Sequence, residues 1–280
     1  MTKRIAFQGE IGAYSEQAAI QFFGENIELV PCATFTALFK SIFEDRADFA
    51  VAPIENSLAG SIHENYDLLL RFKAQIVGET ILRISHTLLA ASDVNIGDIQ
   101  KVYSHPQALS QCRDFLEKLD VETVPTYDTA GSAKRIAQTR KSGVAAIASE
   151  RAAIEYNLTI LEKNIESNHE NFTRFLVIKN PECTALGVET EPNAPQKSSI
   201  VFATRDIPGA LFKSLAIFAL RDINLLKIES RPLHGKPFQY IFTLDFEGDR
   251  RDDAIQNALR HLEEITEFVQ YLGSYPSANF

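Results

Sequence analysis

Polar and charged side chains crowd residues 167–178, a stretch that then turns into an apolar strand. Thr173 and Arg174 stand where this strand begins, and binding groups are often found where a chain enters or leaves a sheet. This stretch is therefore the first candidate site. Strand alternation puts Thr173 and Arg174 on opposite faces, so Thr173 could also be an ordinary β-favouring residue. On these residues alone, a structural role is favoured.

Two loops carry polar groups at the carboxyl ends of predicted strands, where open α/β sheets bind ligands. Asn56 and Ser57 follow the first of these strands, and Ser104 and His105 follow the second. Gln111 lies one turn into the helix after the second loop. Each loop alone could serve only to cap a helix. Two such loops that face each other across a hinge predict a binding cleft.

A glycine-containing turn, residues 8–15, connects the first predicted strand to the first helix. Gly12 and Ala13 in this turn would let backbone N–H groups approach an anion at the helix N-terminus, and a carboxylate would fit. The turn lacks the third glycine of a dinucleotide fingerprint and the Gly-Lys-Ser/Thr of a phosphate loop. An ordinary tight turn remains the alternative.

Composition narrows the class of ligand and the setting. The 280 residues carry a net charge of −9 with no basic block, which argues against nucleic acid and anionic membranes and favours a small molecule. We find no signal peptide and no apolar run of membrane-spanning length, so we expect a cytoplasmic protein. Three scattered cysteines and six histidines show no metal-ligand spacing, and we expect no metal.

Short apolar runs alternate with helix-period runs over the first 180 residues, a pattern typical of parallel sheets with helical crossovers. The alternation restarts near residue 94, which predicts two α/β lobes with a hinge between them. A proline-containing stretch follows, and then a βαββαβ order predicts a ferredoxin-like unit. The predicted bounds are 1–180 for the two-lobed domain (lobe 1 about 1–82 and 165–180, lobe 2 about 83–164), 181–197 for the linker and 198–280 for the last domain.

The motifs together resemble a known family. Residues 8–15, 53–57, 104–107, 173–175 and 229–232 stand in the order found in monofunctional prephenate dehydratases with a C-terminal ACT regulatory domain. The resemblance covers essentially the whole chain. It implies a two-lobed, periplasmic-binding-protein-like catalytic domain followed by a ferredoxin-like ACT domain.

The resemblance also implies an activity and its residues. Prephenate would lose its ring carboxylate as CO2 and its hydroxyl as water, giving phenylpyruvate in L-phenylalanine biosynthesis, with no cofactor. Thr173 would be essential and would donate a hydrogen bond to the leaving hydroxyl, because a threonine is too weak an acid to release its proton outright. The implied catalytic residues are Thr173, Asn56, Ser104 and Gln111, and the implied substrate contacts are Ser57, Arg174, Phe175, His105, Gly12 and Ala13.

The resemblance implies that the last domain binds a feedback regulator. In ACT domains of this family, two regions hold phenylalanine, often between subunits. One is a Pro-Gly turn at the start of a helix, and the other is a Glu-Ser-Arg-Pro sequence at the end of a strand. The implied effector residues are Gly209, Ala210, Leu211, Asn224, Leu225, Glu229, Ser230, Arg231 and Pro232. Phe212 stands where the family often has valine, and its larger ring would narrow the pocket or shift the preference for the effector. A solvated turn with a weak ion pair is the alternative for residues 229–232. We expect a homodimer or homotetramer.

Two other functions stay open at the level of sequence. Two hinged α/β lobes also describe non-catalytic sensors of small molecules, which need affinity for a ligand but no Thr173 hydroxyl. A cyclohexadienyl dehydratase that also accepts arogenate, the amino counterpart of prephenate, would use the same motifs. Product formation from prephenate and from arogenate separates these functions.

Overall fold

The structure is a computed structural model, and it describes residues 2–91, 94–183, 187–188, 194–232 and 239–278. Parts of the predicted linker, residues 184–186 and 189–193, lie outside the described residues. The chain forms two compact units, of which the first comprises Met1–Tyr66 with Thr80–Leu176 and the second Asp67–Glu79 with Val177–Phe280. The domain bounds given above stay a prediction.

Three sheets organise the secondary structure. The first set of elements is β1 (Lys3–Gln8), α1 (Tyr14–Phe23), β2 (Ile27–Cys32), α2 (Phe35–Phe43), β3 (Phe49–Asn56), β4 (Gly60–Ser61), α3 (His63–Phe72) and β5 (Gln75–Arg83). The second set is β6 (Thr87–Ala90), a 3-10 turn (Ile96–Asp98), β7 (Lys101–Ser104), α4 (Pro106–Gln111), α5 (Arg113–Leu119), β8 (Glu122–Pro125), α6 (Thr129–Thr139), β9 (Val144–Ala148), α7 (Glu150–Glu155) and β10 (Thr159–Lys163). The last set is β11 (Phe172–Lys179), β12 (Gln196–Thr204), α8 (Ala210–Ala219), β13 (Leu225–Pro232), β14 (Tyr240–Glu247), α9 (Asp253–Ile265) and β15 (Thr266–Pro276).

The first two sheets form two α/β lobes. The first sheet has the order β2-β1-β3-β11-β5, with β4 paired to β3, and the second has the order β10-β6-β9-β7-β8. Strand β1 runs parallel to β2 and β3, and its Ile5 and Phe7 are fully buried. Strands β7 and β9 are parallel in the second sheet. The chain crosses between the lobes after β5 and again before β11, so the predicted two-lobed α/β fold is confirmed.

The third sheet is antiparallel, with the order β13-β14-β12-β15. Helices α8 and α9 complete a βαββαβ unit, and the ferredoxin-like prediction is confirmed. Phe202 and Phe218 anchor its core, against which the apolar face of α9 packs through Leu259 and Leu262. No helix in the described part of the chain is long and apolar enough to cross a membrane.

A glycine in the second unit gives a sharp test of packing. Gly273 in β15 has φ +155°, and a Cβ at this position would stand 2.1 Å from the carbonyl oxygen of Ile76. We expect Gly273→Ala to lower the free energy of unfolding by about 1–3 kcal/mol, because backbone must move to admit the methyl group. Urea unfolding measures the loss. Gly97→Ala is the control, since apart from its two chain neighbours no described residue comes within 4 Å of its Cβ position. Equal losses in both variants would contradict the clash.

Candidate active site

A cavity of about 360 Å³ lies in the first unit and takes residues from both lobes. The residues predicted from sequence that line it are Ala13, Asn56, His105, Gln111, Thr173 and Phe175. Asn56 is the last residue of β3, Thr173 is the second residue of β11, and Gln111 is the last residue of α4. The cavity therefore forms where the polar ends of the predicted strands and helices come together.

Four other predicted residues do not line the cavity. Their hydrogen bonds and one ion pair connect the elements that surround it. Ser104 is fully buried and donates to the Ile147 carbonyl at 2.7 Å, tying β7 to β9. Ser57 donates to the Glu170 carbonyl at 2.8 Å. The Gly12 carbonyl accepts from the Ser149 hydroxyl at 2.6 Å. Arg174 pairs with Glu55 at 2.9 Å, on the strand face opposite to Thr173.

Asn56 determines how the Thr173 hydroxyl is oriented. The Asn56 Oδ1 accepts from the backbone N–H groups of Leu58 at 3.1 Å and Ala59 at 2.9 Å, which fixes the direction of the amide. The Nδ2 group then points to Thr173 Oγ1 at 2.9 Å. Because an amide nitrogen donates and does not accept, the proton of the Thr173 hydroxyl is available to another acceptor.

The orientation of Asn56 extends through a chain of buried amides. Asn56 Nδ2 also donates to Asn171 Oδ1 at 2.8 Å, and Asn171 Nδ2 donates to Gln111 Oε1 at 3.1 Å. Gln111 Oε1 lies 2.8 Å from His86 Nε2, which places a proton on that nitrogen. The His86 Nδ1 lies 2.9 Å from the Tyr14 hydroxyl. Burial lowers the pKa of His86, so its imidazole is neutral at pH 7.

The N-terminus of α1 lies at the cavity, and its first turn also holds the buried Glu16, whose carboxylate accepts the Gly12 N–H and pairs with Arg151. Ala13, its N-cap residue, makes no side-chain capping bond, and Ala13, Tyr14 and Ser15 line the cavity. Helix N-termini favour anions because their first N–H groups lack intrahelical partners and the helix dipole is positive there. This end of the cavity suits a carboxylate, as the turn of residues 8–15 predicts.

The predicted effector residues fall into two groups. Gly209, Ala210 and Leu211 line a cavity of about 300 Å³ in the second unit, together with the exposed ring of Phe212. The remaining predicted residues do not line it, and several have partners: Asn224 donates to Glu247 at 3.0 Å, Glu229 pairs with Lys227 at 3.3 Å, and Arg231 forms two bonds of 2.8 Å with Asp67. Leu225, Ser230 and Pro232 lie along β13. An effector role for all nine residues stays a prediction.

Sequence reasoning did not single out four residues at or beside the cavity: Tyr14, His86 and Asp128 line it, and Asn171 bonds to Asn56 next to it. Asn171 stands one residue before β11, so the rule that selected Thr173 could have included it. His86 lies in the crossing segment between β5 and β6, where no local pattern marks it. Asp128 precedes an amphipathic helix and reads as an ordinary cap.

Fold and site together define a two-lobed α/β domain with a small-molecule cavity, followed in the chain by a ferredoxin-like domain. The chain matches the prephenate dehydratase family over residues 5–183 and the ACT domain over residues 198–264. It therefore belongs to the prephenate dehydratase family, it is an enzyme of the carbon–oxygen lyase class, and its C-terminal domain is an ACT domain.

The chain is similar over almost its full length to individual relatives and solved structures. The chain is 49% identical over 282 residues to arogenate dehydratase/prephenate dehydratase 2, chloroplastic, from Arabidopsis thaliana, covering 98% of this chain and 72% of that protein. The crystal structure of prephenate dehydratase in complex with L-Phe from Arthrobacter aurescens superposes with a TM-score of 0.87 at 31% identity, over 98% of this chain and 90% of that chain. GqqA, described as a novel type of quorum quenching acylase, also gives 0.87, at 32% identity over 98% of both chains.

Proposed function

We propose that this protein decarboxylates and dehydrates prephenate to phenylpyruvate, CO2 and water, and that it processes arogenate in the same cavity. The observation that carries the proposal is the hydrogen bond from Asn56 to Thr173, because it leaves the threonine proton free to bind a leaving hydroxyl. Arogenate is included because it differs only in the side-chain amino group and because the Arabidopsis relative is named for both substrates.

Elimination needs help at the ring hydroxyl. The C–C bond to the ring carboxylate breaks and releases CO2, its electron pair enters the ring, and the C–O bond breaks as the ring becomes aromatic. The oxygen leaves with its bonding electrons and takes one proton, supplied by solvent, to become water, so that Thr173 keeps its own proton. Thr173 donates a hydrogen bond to this oxygen as negative charge develops on it, which lowers the barrier. The aromatic product provides the driving force.

The remaining cavity groups bind and orient the substrate. The N-terminus of α1 stabilises a carboxylate without a cationic side chain. A carboxylate held this way keeps much of its charge, so it can still expel an electron pair as CO2 departs. Asn171 and Gln111 act through Asn56 and are positioning residues, because they fix the donors that surround Thr173.

Product formation from the two substrates tests the proposal. Purified protein is mixed with prephenate or arogenate, and phenylpyruvate or phenylalanine is measured after quenching at neutral pH. We expect an aromatic product from both substrates. Binding of either molecule without turnover would favour the sensor function, and no product from either substrate would refute the proposal.

We further propose that L-phenylalanine binds at the ACT domain and inhibits the enzyme. The cavity beside Gly209 and Leu211 and the L-Phe complex of the Arthrobacter relative support this assignment. L-phenylalanine at 100 times its Kd should stabilise the folded state by about 2.7 kcal/mol and lower turnover. Thermal melting and steady-state rates measure the two effects, with L-alanine as the control. If neither changes with L-phenylalanine, the regulatory proposal fails and the catalytic one is untouched.

Self-association is the last part of the proposal. Strand β13 lies at an edge of the third sheet, and its Leu226 and Ile228 are exposed. Apolar side chains on an edge strand favour pairing with a second copy. We therefore propose a homodimer or homotetramer, and sedimentation equilibrium measures which of them forms.

A further inference from the structure

The catalytic cavity must hold a dianion, although its walls supply little positive charge. Among the described residues that line it, no side chain is Lys or Arg, and Asp128 is acidic. The N-terminus of α1 attracts anions, but its first turn also holds the buried Glu16. A histidine that becomes charged only when substrate is bound would supply positive charge. His86 and His105 both line the cavity and are the candidates.

The hydrogen bonds of His105 leave no place for a second ring proton. His105 is the N-cap residue of α4, and its Nδ1 accepts the backbone N–H of Gln107 at 3.2 Å. A proton on Nδ1 would face this N–H group and break the cap. Burial also lowers the pKa of His105, against a smaller opposite effect of Asp128. His105 therefore stays neutral.

The hydrogen bonds of His86 do leave such a place. Its Nε2 donates to Gln111 Oε1 at 2.8 Å, and its Nδ1 lies 2.9 Å from the Tyr14 hydroxyl, which is also 2.7 Å from the Ser85 carbonyl. With a neutral imidazole, the single proton of Tyr14 must serve both Ser85 and His86 Nδ1. In the imidazolium, Nδ1 donates to Tyr14 and Tyr14 donates to Ser85. Every one of these contacts then has its own proton.

A buried carboxylate beside His86 supports the charged form. The side chain of Glu166 is fully buried, and its Oε2 accepts the backbone N–H of His86 at 2.9 Å. Its Oε1 lies 3.4 Å from Arg83 Nη2 and 3.4 Å from His169 Nδ1. Burial lowers the pKa of His86, whereas the bond to Gln111 and the charge of Glu166 raise it. The ring is therefore neutral in the empty cavity, and a second negative charge nearby would raise its pKa.

The other titratable groups named at this site do not compete for the proton. Tyr14 on α1 and Cys112 at the break between α4 and α5 are both affected by the charge of Glu166. Burial is the largest cause for each and raises its pKa, so both groups keep their protons at neutral pH. His86 is therefore the group that responds when a dianion enters the cavity.

We propose that His86 takes up a proton from solvent as prephenate binds, and that the imidazolium supplies positive charge that holds the dianion. The proton adds to Nδ1, the Tyr14 hydroxyl turns to the Ser85 carbonyl, and the proton returns to solvent when the product leaves. The inference rests on the proposed function, because prephenate is the ligand. It makes His86 a binding residue whose charge depends on whether the cavity is occupied.

The pH dependence of KM for prephenate tests this inference, measured between about pH 6 and pH 9. Because the proton enters with the substrate, binding weakens as the pH rises from the lowered pKa of free His86 to its higher value in the complex. In this window KM should rise by up to about tenfold per pH unit. His86→Gln keeps a donor for Gln111 but cannot take up a proton. Its KM should be independent of pH and should equal that of the wild type at the alkaline end.

Two further variants separate His86 from its surroundings. His105→Asn removes the other cavity histidine and keeps a good N-cap residue, so the rise in KM should persist. Tyr14→Phe removes the acceptor for the proton on Nδ1, so the rise should move to lower pH, and this variant keeps the test open if His86→Gln does not fold. A KM independent of pH in the wild type, a rise that persists in folded His86→Gln, or a rise that disappears in His105→Asn would overturn the inference.

Calorimetry counts the proton without relying on turnover. Prephenate is titrated into Thr173→Ala at one neutral pH in two buffers with different heats of ionisation, and the difference in heat gives the protons taken up per site. We expect about 0.5–1 proton, and none in His86→Gln/Thr173→Ala. Binding with no proton uptake in Thr173→Ala would refute the inference alone. Wild-type protein that converts neither substrate would refute the proposed function, and the proton count would still decide the role of His86. Protein that does not bind prephenate would refute both.

Discussion

Thr173→Ala should lower kcat about 10²–10³-fold while the protein stays folded, which is the loss measured when one preorganised donor to a developing oxyanion is removed. The hydroxyl of Thr173 is buried at the cavity and receives a hydrogen bond from Asn56 at 2.9 Å. The Thr173 hydroxyl can therefore donate its proton to the leaving oxygen. This hydrogen bond is strong in the transition state, where the oxygen carries negative charge, and weak in the bound substrate. For that reason we expect kcat to fall with little change in KM.

Two further substitutions at this position isolate the hydroxyl. Thr173→Ser keeps the donor and should retain turnover within about tenfold of the wild type, whereas Thr173→Val keeps the shape and should resemble Thr173→Ala. Steady-state rates with prephenate and arogenate give the comparison, and thermal melting shows whether each variant is folded. Near-normal kcat in Thr173→Val would rule out the hydroxyl as a donor to the leaving group.

The cavity could be predicted from the sequence because its polar side chains lie at the ends of strands. Asn56 is the last residue of β3 and Thr173 is the second residue of β11, and a mostly apolar, buried run marks each of these strands in the sequence. Which of several polar residues at such an end faces the cavity depends on pairing between distant segments. Ser57 and Asn56 are neighbours in the chain, yet Ser57 bonds to the Glu170 carbonyl and only Asn56 reaches Thr173.

Tertiary contacts also changed elements that looked regular in the sequence. The apolar periodicity of residues 107–119 predicts one helix, but the structure has α4 and α5 with a break at Cys112. The Gln111 carbonyl accepts from the Ser167 N–H at 2.8 Å, and this long-range bond replaces the helical one. Local periodicity contains no information about Ser167. The local pattern also does not predict helix α7, which has only six residues, or strand β10, none of whose residues is buried.

Asn56→Asp is the second change with a large expected effect. The Nδ2 of Asn56 donates toward three acceptors, Asn171 Oδ1 at 2.8 Å, Thr173 Oγ1 at 2.9 Å and the Phe172 carbonyl at 3.1 Å. An aspartate puts an oxygen at this position. The Thr173 hydroxyl would then donate its proton to the carboxylate, and the substrate would lose its donor.

We expect kcat of Asn56→Asp to fall about 10²–10³-fold, as in Thr173→Ala, because both changes remove the same hydrogen bond to the leaving oxygen. Asn171 Oδ1 and the Phe172 carbonyl would also lose their amide donor, which should lower the free energy of unfolding by about 1–3 kcal/mol. Asn56→Ala is the control, since it removes the amide without adding an acceptor. It should leave the threonine proton free and reduce kcat less than Asn56→Asp.

The double variant Asn56→Asp/Thr173→Ala decides whether the two residues act as one unit. If Asn56 acts by leaving the Thr173 proton free, the aspartate has nothing to capture once the hydroxyl is gone, and the double variant should be about as slow as either single one. Independent roles would instead multiply the two losses to about 10⁴–10⁶-fold. Rates over that range are measurable by product accumulation over hours, and a multiplicative loss would contradict the coupling of Asn56 to Thr173.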